Sequence, residues 1–132
     1  MIEKKYQAEV IANDQEGLAL ISACMSGSKT KVSDMKYLPS NRIFLLSVER
    51  SKIENDGRII NSILKADCVS KVKSKNIDQK KKDLVLELIA IDYLKNKQDF
   101  EINLIFKNNA HIALTTEVID VTLEDQNQIE KK

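Results

Sequence analysis

Residues 30–50 read TKVSDMKYLPSNRIFLLSVER, and the way this stretch folds back on itself decides the architecture. Two alternating runs, Thr30–Leu38 and Arg42–Arg50, flank Pro39-Ser40-Asn41, a cluster of turn-forming residues. An even-membered loop pairs Tyr37 with Phe44, Met35 with Leu46 and Ser33 with Val48. That register gathers most large apolar side chains on one face and leaves Lys36, Asp34 and Glu49 on the other. A slip of one residue mixes the faces, so the pattern selects one antiparallel hairpin. In the same register Lys31 faces Arg50 and Asp34 faces Ser47, and Arg42 and Arg50, with Asp34 and Glu49 nearby, form a structural salt-bridge set rather than a ligand clamp.

Downstream the same period continues. Glu54-Asn55-Asp56-Gly57 is a turn, and Arg58–Ile77 is too long for one strand, so a bend or bulge is expected near Ala66–Cys68. Asn76–Lys82 is a polar connection, and Leu84–Leu94 is apolar on both faces, as a central strand covered on both sides should be. Phe100–Phe106 and His111–Leu123 make the last hairpin. A three-residue loop, Lys107-Asn108-Asn109, pairs Leu104 with Ile112 and Ile102 with Leu114, apolar against apolar, where a two-residue loop does not. It sets Asn109 at the position needing positive φ, which Asn tolerates, and puts His111 on the opposite face beside Ile105. Beyond Thr116 the alternation of Ile119, Val121 and Leu123 extends the strand.

Upstream, residues 5–11 alternate, with Tyr6, Ala8 and Val10 on one side, and read as a strand. Asn13 then opens a helix with Glu16 completing a capping box. Leu18, Ile21 and Met25, flanked by Leu20 and Cys24, form its apolar face, and Ser26-Gly27-Ser28 ends it. Gly17 weakens this helix by about 1 kcal/mol relative to Ala, so it persists only when packed on the sheet. The expected fold class is α+β: seven or eight strands in a mainly antiparallel β sheet, curling into a roll or partly closed barrel with one N-terminal amphipathic helix. A pleckstrin-homology-like barrel is one candidate topology. Residues 1–125 form a single domain and 126–132 a polar tail.

Composition bounds function by exclusion. With 42% hydrophobic and 31% charged residues the chain is globular, and no apolar run approaches a membrane span. The N-terminal Met-Ile-Glu-Lys-Lys-Tyr lacks the apolar core of a secretory signal, so a soluble cytoplasmic protein is expected, with Cys24 and Cys68 as buried thiols rather than a disulfide. A formal net charge of +1 creates no global field toward nucleic acid or membrane. One histidine and two distant cysteines do not suggest a metal site, and His111 reads as a surface residue. Neither a Gly-x-Ser-x-Gly elbow nor a glycine-rich phosphate loop is present, so no catalytic residue and no cofactor is assigned. Glu117, Asp120, Glu124 and Asp125 concentrate negative charge, but on a strand most of them face water.

The run Lys71, Lys73, Lys75, Lys80, Lys81, Lys82 is the one candidate anion-binding surface. The first three share a strand face opposite Val72 and Ser74. Lysines of this density neutralise phosphates, but no aromatic residue is interleaved to stack bases and no arginine reads guanine, so a charged face that protects a sheet edge competes with the binding reading.

The segments Asp14–Met25 (DQEGLALISACM), Lys31–Arg50, Leu84–Asp92 (LVLELIAID) and Phe100–Asp125, above all Glu117–Asp125 (EVIDVTLED), resemble domain-of-unknown-function family 2948, small bacterial proteins. The sharpest piece is Tyr37-Leu38-Pro39 followed by Arg42 and Phe44. The chain departs from that family at Ser51-Lys52-Ile53, where an aromatic pair is usual, and at Asn108-Asn109, where glycines are usual. The resemblance carries no activity or site residues with it. Three readings follow: a non-enzymatic binding or assembly module acting through a protein partner or its own copy; a ligand-binding or catalytic roll with a pocket between helix and sheet; and weak nucleic-acid or anionic-surface binding through Lys71–Lys82.

Overall fold

The alternating segments become ten strands and one helix in the computed structural model, which describes residues 9–51 and 59–126. The order is β1 (Glu9–Ala12), α1 (Gln15–Met25), β2 (Lys29–Lys31), a 3-10 turn (Val32–Asp34), β3 (Met35–Leu38), β4 (Ile43–Ser51), β5 (Ile59–Ala66), β6 (Val69–Lys75), β7 (Val85–Lys95), β8 (Phe100–Phe106), β9 (His111–Thr116) and β10 (Val121–Asp125). Tyr6 and Ala8 of the expected first strand, the Glu54–Gly57 turn and residues 127–132 lie outside the described residues. All pairing is antiparallel, in the order β1-β10-β5-β4-β2-β7-β8-β9-β6, with β3 beside β4. The sheet is an open, partly curled roll, as the alternation predicts.

Curling arises where two long ribbons bend together. β5 leads into β6 as β9 leads into β10, and both pairs stay antiparallel through the corner, from Ala66↔Val121 to Val69↔Thr116. Cys68 supplies the bend with a φ of 62°, and Asp67 N donates to Asp120 O while Glu117 N donates to Cys68 O. The break near Ala66–Cys68 is therefore as expected, whereas the last strand does not run straight through: Glu117–Asp120 interrupts it. Across the roll, three-residue β2 joins the two halves, pairing Lys29 with Glu49 of β4 and Lys29–Lys31 with Glu87–Val85 of β7.

The decisive hairpin keeps its register where it is regular, with Met35↔Leu46 and Tyr37↔Phe44. Before Met35 the expectation fails. The 3-10 turn Val32–Asp34 takes up the intervening residues, so Lys29 rather than Lys31 reaches the end of β4, opposite Glu49. The last hairpin matches the three-residue reading: Leu104↔Ile112, Ile102↔Leu114 and Ile105↔His111, with φ of 65° at Asn108 and 63° at Asn109. β7 is not covered on both faces. A bulge between Leu88 and Ala90 shifts its phase, so Leu86, Leu88 and Ile91 all point inward while Val85, Ile89 and Leu94 are exposed. The doubly apolar appearance of LVLELIAID thus comes from a change of phase, not from a second layer.

The helix buries Leu18, Ile21 and Met25, each at most 1% exposed, and leaves Leu20 at the surface. Its N-cap is Asp14 rather than Asn13: the Asp14 Oδ1 accepts from Gly17 N at 2.8 Å. Gly27, at φ 87°, ends it as anticipated. Gly17 has a second role besides weakening the helix, because an added Cβ would lie 2.8 Å from Ala12 Cα, a contact that only glycine avoids. The helix crosses from β1 to the outer half of β7, where Ile91 N donates to Ser22 Oγ at 2.9 Å and Tyr93 OH donates to Gln15 Oε1 at 2.8 Å. It occupies the edge that β7 would otherwise present once β2 has ended.

Candidate binding edge and its neighbouring cavities

β6 is the terminal strand of the sheet and, among the described residues, pairs only with β9. Its first residue is tied down, with Val69 N donating to Arg42 O and Tyr37 OH donating to Val69 O at 2.8 Å. At the far end Gln79 Nε2 donates to Ser74 Oγ at 3.0 Å. Between these points, Ser70–Lys73, the outer edge is open. Regular pairing of Lys71 with Thr115, Lys73 with Ala113 and Lys75 with His111 puts the three lysines on the solvent face, while Val72 is half-buried against the core.

Lys80, Lys81 and Lys82 are elsewhere, in the connection that crosses the end of the sheet from β6 to β7. That connection is anchored by the buried Ile77 and by Ser33 N donating to Lys82 O. The structure therefore divides the run into a strand face and a loop. All six side chains are exposed, and among the described residues none takes part in an ion pair.

The arginines of the second hairpin are structural, but with other partners than expected. Arg42 Nη2 bonds Glu117 Oε2 at 2.9 Å, and that carboxylate holds the guanidinium proton more tightly than usual, through the hydrogen bond first and its charge second. Arg50 is 5% exposed and sends Nη2 to Asp125 Oδ1 at 2.8 Å, Nε to Ser62 Oγ at 2.9 Å and Nη1 to Cys24 O at 3.0 Å. Ser62 Oγ in turn donates to Asp125 Oδ1 at 2.6 Å. Asp125 is 1% exposed, a correction to its place in a solvated acidic group, and Gln126 N donates to Asn61 O beyond it. Glu117 and Glu124 do face water. Cys24 and Cys68 are free thiols, half-buried rather than buried.

Two cavities flank these elements. A cleft of about 590 Å³ opens where β2 leaves β4, with Lys29, Lys31, Asp34, Glu49 and Asn61 among its walls. Its charges are of both signs, Lys29 and Glu49 being direct cross-strand partners, and Thr30 Oγ1 already donates to Ser47 O at 2.7 Å. A more open bowl of about 410 Å³ lies at the end of the last hairpin, lined by Lys75, Asn76, Ile105, Asn109, Ala110 and His111. Neither cavity is lined by a residue of α1. Among the described residues no three His, Cys, Asp or Glu side chains are grouped to hold a metal, and no helix is long and apolar enough to cross a membrane.

Sequence reading missed Asn103, which is 7% exposed on the solvent face of β8 and lies 2.8 Å through Oδ1 from His111 Nε2. The available signal was a lone amide in the otherwise apolar run Ile102–Phe106.

A partly curled antiparallel roll with one helix lying across its gap defines an α+β domain. The chain belongs to the DUF2948 family of proteins of unknown function, whose model matches residues 9–131. No curated protein and no solved structure matches it.

Proposed function

We propose that the protein is a non-enzymatic binding module that takes an extended, acidic segment of a protein partner along the free edge of β6. Strand addition uses main-chain hydrogen bonds for affinity and alternate side chains for selection. A segment laid beside Ser70–Lys73 places every second side chain next to Lys71 and Lys73, where opposite charge stabilises a cross-strand pair. The intervening side chains fall beside Val72, which favours apolar ones. The carrying observation is the set of exposed lysines that, among the described residues, have no ion-pair partner and lie on an edge open on one side.

The same geometry disfavours a second copy on this edge. A two-fold pairing of β6 with itself sets lysine against lysine, the device by which natural sheets avoid edge-to-edge association.

Fluorescence anisotropy with a labelled peptide of alternating Glu and Val tests the reading. Saturable binding should weaken with added salt and fall at least about tenfold in the variant K71E/K73E/K75E, given the cost of like charges set opposite one another. An affinity unchanged by charge reversal would sink it. Light scattering over a concentration series should report a monomer. A dimer abolished by Val72→Pro would put a second copy on the edge instead. Heparin retention lost in K80Q/K81Q/K82Q, without peptide binding, would transfer the role to a polyanion.

A further inference from the structure

We infer that the bowl at the end of the last hairpin is a site for a phosphate-type oxyanion, held by Lys75 and the protonated ring of His111. The inference goes beyond strand addition at β6 and does not require it.

Among the lining residues there is no carboxylate: one ammonium, one imidazole and the amides of Asn76 and Asn109 supply the polar groups. The larger cleft, by contrast, sets the carboxylates of Asp34 and Glu49 among its walls beside Lys29 and Lys31, so of these two cavities the bowl is the one unbalanced in sign. Its rim is held in place. Asn76 and Asn109 both adopt positive φ, at 60° and 63°, and Asn76 Nδ2 donates to Asn109 O at 2.9 Å.

His111 is held in one tautomer. Asn103 Oδ1 can only accept, so the contact at 2.8 Å requires the proton on His111 Nε2. Nδ1 is then the ring nitrogen that keeps a lone pair, and a proton gained there with a bound anion adds a donor to the side chain lining the bowl. Lys75 is the direct cross-strand partner of His111 and Ile105 the partner on the other side. The charged groups on this face of the sheet are Lys71, Lys73 and Lys75 from β6, Glu101 from β8, Asp92 and Glu87 from β7 and, just past β8, Lys107, which pairs with Glu87 at 3.4 Å. In register, Asp92 is two strands and one row from His111, and Glu101 is one strand and two rows away, so the near neighbours are cationic. An anion bridging Lys75 and His111 relieves that repulsion and favours the charged imidazole. Charge-assisted hydrogen bonds to a tetrahedral oxyanion suit this donor set.

His111 is the only histidine in the chain, so its ring carbon–proton NMR signal reports the site without assignment. Sodium phosphate is titrated into the full chain at constant ionic strength with chloride. A saturable shift of the His111 signal is expected, with its apparent pKa rising by about half a unit or more in saturating phosphate, because preferential binding to one protonation state moves the titration. Lys75→Gln should weaken the phosphate affinity by about threefold or more, while Lys36→Gln, on β3, leaves it unchanged. A shift linear in phosphate, or one identical in Lys75→Gln, overturns the inference.

Two sources of the anion are separated by competition. A phosphoserine peptide that displaces phosphate at lower concentration than glycerol phosphate does assigns the anion to a protein, and equal potency assigns it to a small molecule. Either result supports the site, whereas failure of both to compete with phosphate overturns it. Absence of binding by the alternating Glu/Val peptide would remove the strand-addition reading while leaving the phosphate response intact.

Discussion

Arg50 is the side chain on which four elements converge, so its removal gives the sharpest test of the packing described above. Its guanidinium joins β4 to β5 through Ser62, to β10 through Asp125 and to the end of α1 through the Cys24 carbonyl. Both members of the ion pair are at most 5% exposed. Substituting Arg50→Met retains the apolar stem but breaks the buried ion pair with Asp125, a change that destabilises folded proteins by about 3–5 kcal/mol. At about 4 °C per kcal/mol for a domain of this size, the melting temperature should fall by about 12–20 °C. The triple variant R50M/S62A/D125L removes the three mutually bonded side chains together, including the serine that would otherwise be orphaned. It should recover most of that loss, ending within about 1–2 kcal/mol of the parent, because replacing a buried polar set by apolar groups is nearly neutral. Urea unfolding followed by circular dichroism, with slopes compared, measures both. A triple variant as unstable as the sum of the three single changes would refute the view that these groups act as one unit.

Three further outcomes probe the local readings. Gly17→Ala, which in an open helix stabilises by about 1 kcal/mol, should here destabilise by about 1–3 kcal/mol, since the new methyl meets Ala12 Cα at 2.8 Å; urea midpoints decide the sign. Asp14→Ala should lose about 1 kcal/mol through the missing cap while Asn13→Ala stays within about 0.5 kcal/mol, a contrast that thermal melts of the two variants resolve. Asn109→Gly should stabilise the last hairpin by several tenths of a kcal/mol and Asn109→Val should weaken it by about 1–3 kcal/mol, read from unfolding midpoints, because φ is 63° at this position.

Where side chains alternate without interruption, the sequence alone is sufficient. The pairings Met35↔Leu46, Tyr37↔Phe44, Leu104↔Ile112 and Ile102↔Leu114 all follow from matching apolar faces, and Asn109 follows from the loop length that this matching imposes. Legibility is lost where the chain changes phase. The 3-10 turn at Val32–Asp34 and the bulge in β7 each move residues between faces without any glycine or proline to announce them. Asn13 and Asp14 are both good caps, and the choice between them is made by the first turn's geometry and the contact of Gly17 with Ala12. Of the site, the shared face of Lys71, Lys73 and Lys75 was readable from parity. The separation of Lys80–Lys82 onto a crossing loop depends on long-range order, as does the partnership of His111 with Asn103. Likewise the match of Arg50 with Asp125 joins two distant strands that no local pattern connects.

The pairing of β1 with β10 has a consequence for synthesis on the ribosome. Glu9–Ala12 emerges before every other strand of the sheet, and the strand it needs, Val121–Glu124, follows all of them. The helix that follows β1 is short, and its apolar face must wait for the strands it covers. Until Val121–Glu124 has emerged, the nascent polypeptide holds Glu9–Ala12 without the strand it pairs with, and the sheet cannot be completed. Topologies dominated by such distant pairings fold on the slow side of small domains.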